Sequence, residues 1–311
     1  MNPHIRHRTV QVQGLDVFYR EAGSPDAPAL LLLHGFPASS RSFRELMRRL
    51  AGTYRVIAPD HIGFGHSARP STDAFAYTFA RLAEITDEFT RLLGLSRFAL
   101  YVHDYGAPIG WRIATAHPER VTAIVSQNGN AYLQGLLPGF WAPVHAYIAD
   151  PDPANEAAIR RALTPEAVRW QYTHGVPDES LLDPDAWLLD TAVLARPGST
   201  AAQLRLIRDY GSNLEAYPAF QRYFRESQVP LLAVWGAHDE IFGPEGAHAF
   251  RDDLPEAEVH LLPTGHFALE THCAEIADRV ADFLARRLPP RPAPSAVGAG
   301  SGAAGMVSGT G

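Results

Sequence analysis

Phe98-Ala99-Leu100-Tyr101-Val102-His103-Asp104-Tyr105-Gly106 is an apolar run that ends on a carboxylate, an aromatic residue and a glycine. A continuous run of this length reads as a buried strand. Pro108 then falls in the first turn of a helical stretch reaching about His117, where proline's missing N–H costs nothing. The order is strand, sharp turn, helix, with Asp104 at the tip. A strand-end aspartate can simply cap the helix that follows. The chemical alternative is a nucleophile: a carboxylate is poor at attacking acyl carbon, but it can displace a leaving group from saturated carbon and form an ester that water cleaves. Tight elbows of this kind favour small residues two positions either side of the nucleophile, because the backbone there tolerates little bulk. Gly106 fits that pattern and Val102 departs from it.

Outward from this stretch, strand-like runs alternate with helical periods. Thr9 to Val12 and Leu15 to Glu21 predict an opening hairpin, and Ala29 to Leu33 and Arg55 to Pro59 predict buried strands. Phe43, Leu46, Met47 and Leu50 recur at helical spacing behind a Ser42/Glu45 capping pair, and Phe79, Leu82, Ile85, Phe89 and Leu92 repeat the pattern. More strands are predicted at Val121 to Ser126, Leu231 to Trp235 and Glu258 to Leu262, and a last helix carries Ile276, Val280, Phe283 and Leu284 on one face. Such alternation implies an α/β fold with a mostly parallel sheet. It breaks between about Ala131 and Gln228, a stretch rich in proline and aromatics that reads as a helical insertion over the carboxyl ends of the strands.

Composition narrows the function. The chain has 311 residues, 46% hydrophobic and 20% charged, enough to bury one large core. A formal net charge of −7 without Lys/Arg clusters argues against nucleic acid and leaves small uncharged organic molecules as the expected substrates. One cysteine, Cys273, forms no intrachain disulfide and points to a reducing compartment. No apolar run reaches membrane-spanning length and Met1 to Arg8 lack an apolar targeting core, so a cytoplasmic location with no membrane contact is expected. No cofactor is expected either, since there is no dinucleotide fingerprint and the fourteen histidines do not cluster as metal ligands. From about Pro289 the Pro-, Gly-, Ala- and Ser-rich sequence reads as a disordered tail.

Polar groups recur just after predicted strands, where open α/β sheets collect their ligand-binding residues. His34-Gly35-Phe36-Pro37 follows the third strand, and its Phe36 N–H, with that of Tyr105, can form an oxyanion hole. One such donor contributes roughly 2.7–4 kcal/mol of transition-state stabilisation. Gly236-Ala237-His238-Asp239 and Gly265-His266-Phe267 follow two later strands. Taken singly, Asp239 is an ordinary turn residue and His266 an ordinary surface histidine. Together with Asp104 they stand in the order nucleophile, acid, base.

With these motifs in place the chain resembles the α/β-hydrolase superfamily, and within it the branch of epoxide hydrolases and haloalkane dehalogenases. Matching landmarks occur in order from about residue 8 to 287: His34-Gly-Phe-Pro37, Asp60-His-Ile-Gly-Phe-Gly-His-Ser67, Val102-His-Asp-Tyr-Gly106, His117-Pro-Glu-Arg-Val121, Trp235-Gly-Ala-His-Asp239 and Gly265-His266-Phe267. No Gly-x-Ser-x-Gly is present, so a serine esterase lacks its nucleophile. The resemblance implies an eight-stranded, mostly parallel sheet flanked by helices. Residues 1–130 and 229–288 would form the core domain, 131–228 a helical cap, and 289–311 the tail. It also implies a two-step hydrolysis in which Asp104 forms an alkyl ester and His266, oriented by Asp239, activates water against it. Asn128 stands where some dehalogenases keep the acid, and would play a supporting part.

The leaving group separates the activities. A halide needs N–H donors, which dehalogenases commonly supply from a tryptophan beside the nucleophile and an asparagine after His-Gly; here Tyr105 and Phe36 occupy those places. An opening epoxide needs a proton or hydrogen bond, which epoxide hydrolases take from cap tyrosines. Tyr210, in Asp209-Tyr-Gly-Ser-Asn213, best resembles the second such tyrosine, and Tyr147 and Tyr132 are candidates for the first. His34 and Pro37 complete the substrate-side candidates. Epoxide hydrolysis to a diol is the expected activity, with haloalkane or haloacid dehalogenation and a catalytically silent binding protein as alternatives.

Overall fold

The structure, a computed structural model, describes residues 4–288; the stretch read above as a disordered tail lies outside them. Strands are β1 (Arg6–Val12), β2 (Leu15–Ala22), β3 (Ala29–Leu33), β4 (Arg55–Pro59), β5 (Phe98–His103), β6 (Val121–Gln127), β7 (Leu231–Gly236) and β8 (Glu258–Leu262). Helices are α1 (Arg44–Leu50), α2 (Phe79–Leu92), α3 (Gly106–Ala116), α4 (Pro138–Ala149), α5 (Pro153–Arg161), α6 (Pro165–Thr173), α7 (Pro184–Leu194), α8 (Ser199–Ser227), α9 (Pro244–Asp253) and α10 (Ala268–Arg287). The strands form one sheet in the order β1-β2-β4-β3-β5-β6-β7-β8, antiparallel at β1-β2 and β2-β4 and parallel from β4 onward. This is the eight-stranded, mostly parallel α/β sheet that the alternating pattern predicts.

Every residue of β5 and of β7 is buried, which is why both sequences are apolar without alternation. The two faces are nevertheless sorted by parity. Leu31, Leu33, Leu100 and Val102 face a core shared with α2, α3 and α8, while Leu30, Leu32, Ala99 and Tyr101 face one shared with α1 and α10. Helix α2 starts at a Thr78 cap whose Oγ1 accepts from the Arg81 N–H, and it turns Phe79, Leu82, Ile85 and Phe89 inward.

The Ser42/Glu45 capping pair does not form. The chain enters α1 through a 3₁₀ turn at Ser40–Phe43 capped by Ser39, and the Ser42 hydroxyl donates to the Ser39 carbonyl inside that turn. With its serine engaged there, α1 begins at Arg44 with no side-chain cap.

Strands β6 and β7 are sheet neighbours, yet α4 to α8 run between them without a named strand. This five-helix insertion reaches loops that follow several strands. Arg196 donates to the Gly65 carbonyl, Tyr172 stacks on Phe267 with ring centroids 3.9 Å apart, and the Tyr210 ring lies 6.2 Å from that of Tyr105. Those loops lie at the carboxyl ends of β4, β8 and β5, the side on which the candidate residues cluster.

Candidate active site

Strand β5 delivers Asp104 and helix α3 leaves two residues later. Between them the backbone turns through Asp104 at φ 51°, a left-handed conformation uncommon for a residue with a side chain. Held there, the carboxylate is buried at 5% exposure, and its Oδ1 accepts the Phe36 N–H at 2.6 Å. The Tyr105 N–H also hydrogen-bonds the carboxylate. The two expected oxyanion donors are thus both aimed at Asp104 itself. Burial raises the Asp104 pKa above the usual carboxylate range, against the opposing pull of His266 and these two amides.

Oδ2, the other oxygen, faces His266. The His266 Nε2 lies 3.9 Å away, too far for a hydrogen bond, and is buried with no partner. On its far side, Nδ1 is 2.8 Å from Asp239 Oδ2. Burial lowers the imidazole's pKa, but the charge and hydrogen bond of Asp239 and the charge of Asp104 outweigh it and leave the pKa raised. Asp239 is fixed in turn: Oδ1 accepts the Ile241 N–H at 2.8 Å, and Oδ2 also accepts from Asn128 Nδ2 at 2.7 Å. Asn128 sits at φ 46° just past β6, and its Oδ1 accepts the Gly236 N–H at 3.2 Å, tying two strand ends together beneath Asp239. The structure therefore brings Asp104, Asp239, His266, Phe36, Tyr105 and Asn128 into one connected cluster.

Val102 keeps its bulk at the elbow because two glycines make room. A Cβ on Gly110 would lie 2.7 Å from Val102 Cγ1, and one on Gly129 would lie 3.0 Å from Cγ2. His34 has no nitrogen left for a substrate, which corrects its listing among the substrate-side candidates. Its Nε2 accepts the His61 N–H at 3.1 Å, its Nδ1 bonds the Gly35 carbonyl at 3.0 Å, and burial lowers its pKa to about 4. It anchors the loop that carries Phe36, and Pro37 is buried directly after it, joined by a cis peptide bond.

Of the three candidate tyrosines, Tyr210 packs at the elbow. Its ring packs on Tyr105, on Phe79 at 5.5 Å and on Trp141 at 4.6 Å, and its hydroxyl is 3.5 Å from that of Tyr217. Burial, then Tyr217, then the charge of Asp104 push its pKa well above 10, so the phenol stays a proton donor. Tyr132 lies elsewhere: its hydroxyl donates to Asp253 Oδ2 at 2.8 Å and its ring packs on Phe250 of α9. Tyr147, on α4, is buried too, and burial first and the charge of Glu156 next raise its pKa. Sequence reasoning missed Tyr217, although its spacing of seven from Tyr210 places both on one face of α8. It also missed Trp141, whose indole N–H is taken by the Ile241 carbonyl at 2.7 Å.

Among the described residues, no helix is long and apolar enough to cross a membrane. Comparison with known proteins agrees with the architecture. The family model described as the alpha/beta hydrolase fold matches residues 28–272. An uncharacterized hydrolase of Saccharomyces cerevisiae is 44% identical over 90% of this chain and 97% of its own length. A haloalkane dehalogenase of Mycobacterium marinum is 30% identical over 89% of this chain and 88% of its own. Epoxide hydrolase 2 of Caenorhabditis elegans is 28% identical over 82% of this chain and 73% of its own. With its sheet order, strand-end cluster and family match in agreement, the chain belongs to the α/β-hydrolase fold family and is a hydrolase.

Proposed function

We propose that this hydrolase opens epoxides to diols through a covalent ester on Asp104. The observation that carries the reading is the division of labour between the carboxylate oxygens. Oδ1 already accepts the Phe36 N–H, the Tyr105 N–H bonds the same carboxylate, and Oδ2 is left facing an unpartnered His266 Nε2. Oδ2 attacks the less hindered epoxide carbon as the C–O bond breaks, and the departing oxygen takes a hydrogen bond or proton from Tyr210. The five-helix insertion acts as the cap that supplies this donor.

Esterification removes the Asp104 charge, one of the influences holding the His266 pKa up. The neutral imidazole then takes a proton from water, and the hydroxide attacks Cγ of the ester. The oxyanion forms on Oδ1, which already accepts the Phe36 N–H, with the Tyr105 amide bonded to the same carboxyl group, so little reorganisation is needed. Asp239 keeps the Nδ1 proton in place and stabilises the imidazolium. Collapse breaks the Cγ–Oδ2 bond, the departing oxygen takes the proton held by His266, and the diol leaves while the regenerated Asp104 acid gives up its proton to restore Tyr210 or to solvent.

Epoxide is favoured over halide because Tyr210 offers a hydroxyl beside the elbow, and three of the buried indoles have no N–H to spare. The N–H groups of Trp111, Trp141 and Trp235 are all spent on backbone carbonyls, at 3.1, 2.7 and 2.8 Å. Dehalogenation is the second reading, supported by the 30% identity to a haloalkane dehalogenase. The test is a single turnover of epoxyoctane in heavy-oxygen water, followed by mass analysis of the Asp104 peptide, with bromooctane run in parallel. The expected result is label in Asp104 and a trapped ester in His266→Gln. Label appearing only in the diol would overturn the covalent reading, and halide release without epoxide turnover would move the assignment to dehalogenase.

A further inference from the structure

Two turns before Tyr210 on α8 lies Gln203, fully buried, with neither its Oε1 nor its Nε2 hydrogen-bonded. A primary amide is costly to bury with both ends unpaired, and a folded protein seldom leaves one so without a use for it. Its position suggests the use. A spacing of seven residues returns to the same helix face, so Gln203 and Tyr210 share the side of α8 that packs on Tyr105, next to Asp104. Along the helix the two are separated by roughly 10 Å. The residues between them that are buried with them, Leu204, Leu206 and Ile207, are apolar, while Arg205 and Arg208 are exposed.

We infer that Gln203 is a specificity-determining residue which hydrogen-bonds a neutral polar group at the far end of the substrate. The substrate class is then an apolar chain with the reactive carbon at one end and a carboxamide or hydroxyl about two helical turns away. An amide both donates and accepts, which matches a carboxamide on both counts, and no charge on this face of α8 calls for an ionised tail. The inference rests on the proposed reaction for its reactive end only.

The test compares epoxyoctanamide, with epoxide and carboxamide at opposite ends, against epoxyoctane in wild type and Gln203→Met. The expected result is a preference for the amide in kcat/KM that falls at least about tenfold in Gln203→Met, mainly through KM, with Tm unchanged or higher. An unchanged preference would overturn the inference, and so would a lower Tm with equal losses on both substrates, which marks a structural amide. Calorimetry with unreactive octanamide separates the two proposals. Binding to wild type and not to Gln203→Met supports the role of Gln203 even if no epoxide turns over, and equal binding to both proteins defeats it whatever the chemistry.

Discussion

Gly35 passes so close to the elbow that a Cβ there would lie 2.1 Å from Asp104 Oδ1. Its φ is not in the left-handed region, so alanine fits the backbone at Gly35, but Asp104 Cβ would lie only 2.3 Å away and the elbow must shift along with the carboxylate. Gly35→Ala is therefore expected to keep a wild-type circular dichroism spectrum with a lowered Tm. Displacing the nucleophile by about 1 Å should lower kcat/KM by about a hundredfold. Activity within a few-fold of wild type would mean that Oδ1 is not the oxygen that must stay fixed. At this scale much was legible in advance. Asp104, Asp239 and His266 each follow a strand whose hydrophobic pattern is plain, and that fixes which end of the sheet they share. The tolerance of Val102 was not legible, because its room comes from Gly110 on the next helix and Gly129 on the next strand's exit. A local motif cannot register a compensation supplied by distant backbone.

Helix α8 shows what an element adds to its residues. Tyr210 and Tyr217 lie on one face with hydroxyls 3.5 Å apart, and Tyr217 also accepts from Asn130 Nδ2 at 3.3 Å, which steadies the pair. Tyr210→Phe is expected to lower kcat for epoxide by about 10²–10⁴, the range of a positioned general acid, with a smaller effect on any bromoalkane turnover. Tyr132→Phe serves as the contrast. Its hydroxyl bonds a carboxylate in the core, so the variant should lose about 1–3 kcal/mol in denaturant unfolding while epoxide turnover stays within a few-fold. The reverse pattern, with Tyr132 controlling turnover and Tyr210 controlling stability, would remove α8 from the chemistry. The Asp-Tyr-Gly sequence around Tyr210 points to a residue that packs on Tyr105, whereas Tyr132 and Tyr147 rest only on lying in the insertion. Which way a ring turns depends on the partner it meets, which for Tyr132 is Asp253. That partner lies 121 residues away in sequence.

Across the whole molecule, the insertion is fastened to the sheet by a ring contact whose tyrosine is held by a group that titrates. Tyr172 of α6 lies flat on Phe267, the neighbour of His266, at 3.9 Å and an interplanar angle of 7°. Its hydroxyl donates to Asp190 of α7 at 2.5 Å. Burial raises the Asp190 pKa from the ordinary 3.8 to about 7, against the Tyr172 hydrogen bond and the charge of Arg41, with Glu270 and Asp60 adding to the rise. An acid whose pKa is raised on folding binds its proton more tightly in the folded state. Stability is therefore full below the unfolded value of 3.8 and declines as pH rises toward about 7, with the whole loss present above it. That loss is of the order of 4 kcal/mol at most. Asp190→Asn cannot ionise, yet its amide oxygen can still accept from Tyr172. The variant should accordingly melt several degrees above wild type near pH ~8, and the advantage should vanish by about pH 4. Thermal melts of both proteins across this range measure the difference directly. An advantage independent of pH would show that Asp190 does not titrate in the fold, and a variant less stable near pH ~8 would show that its ionised form holds the insertion in place.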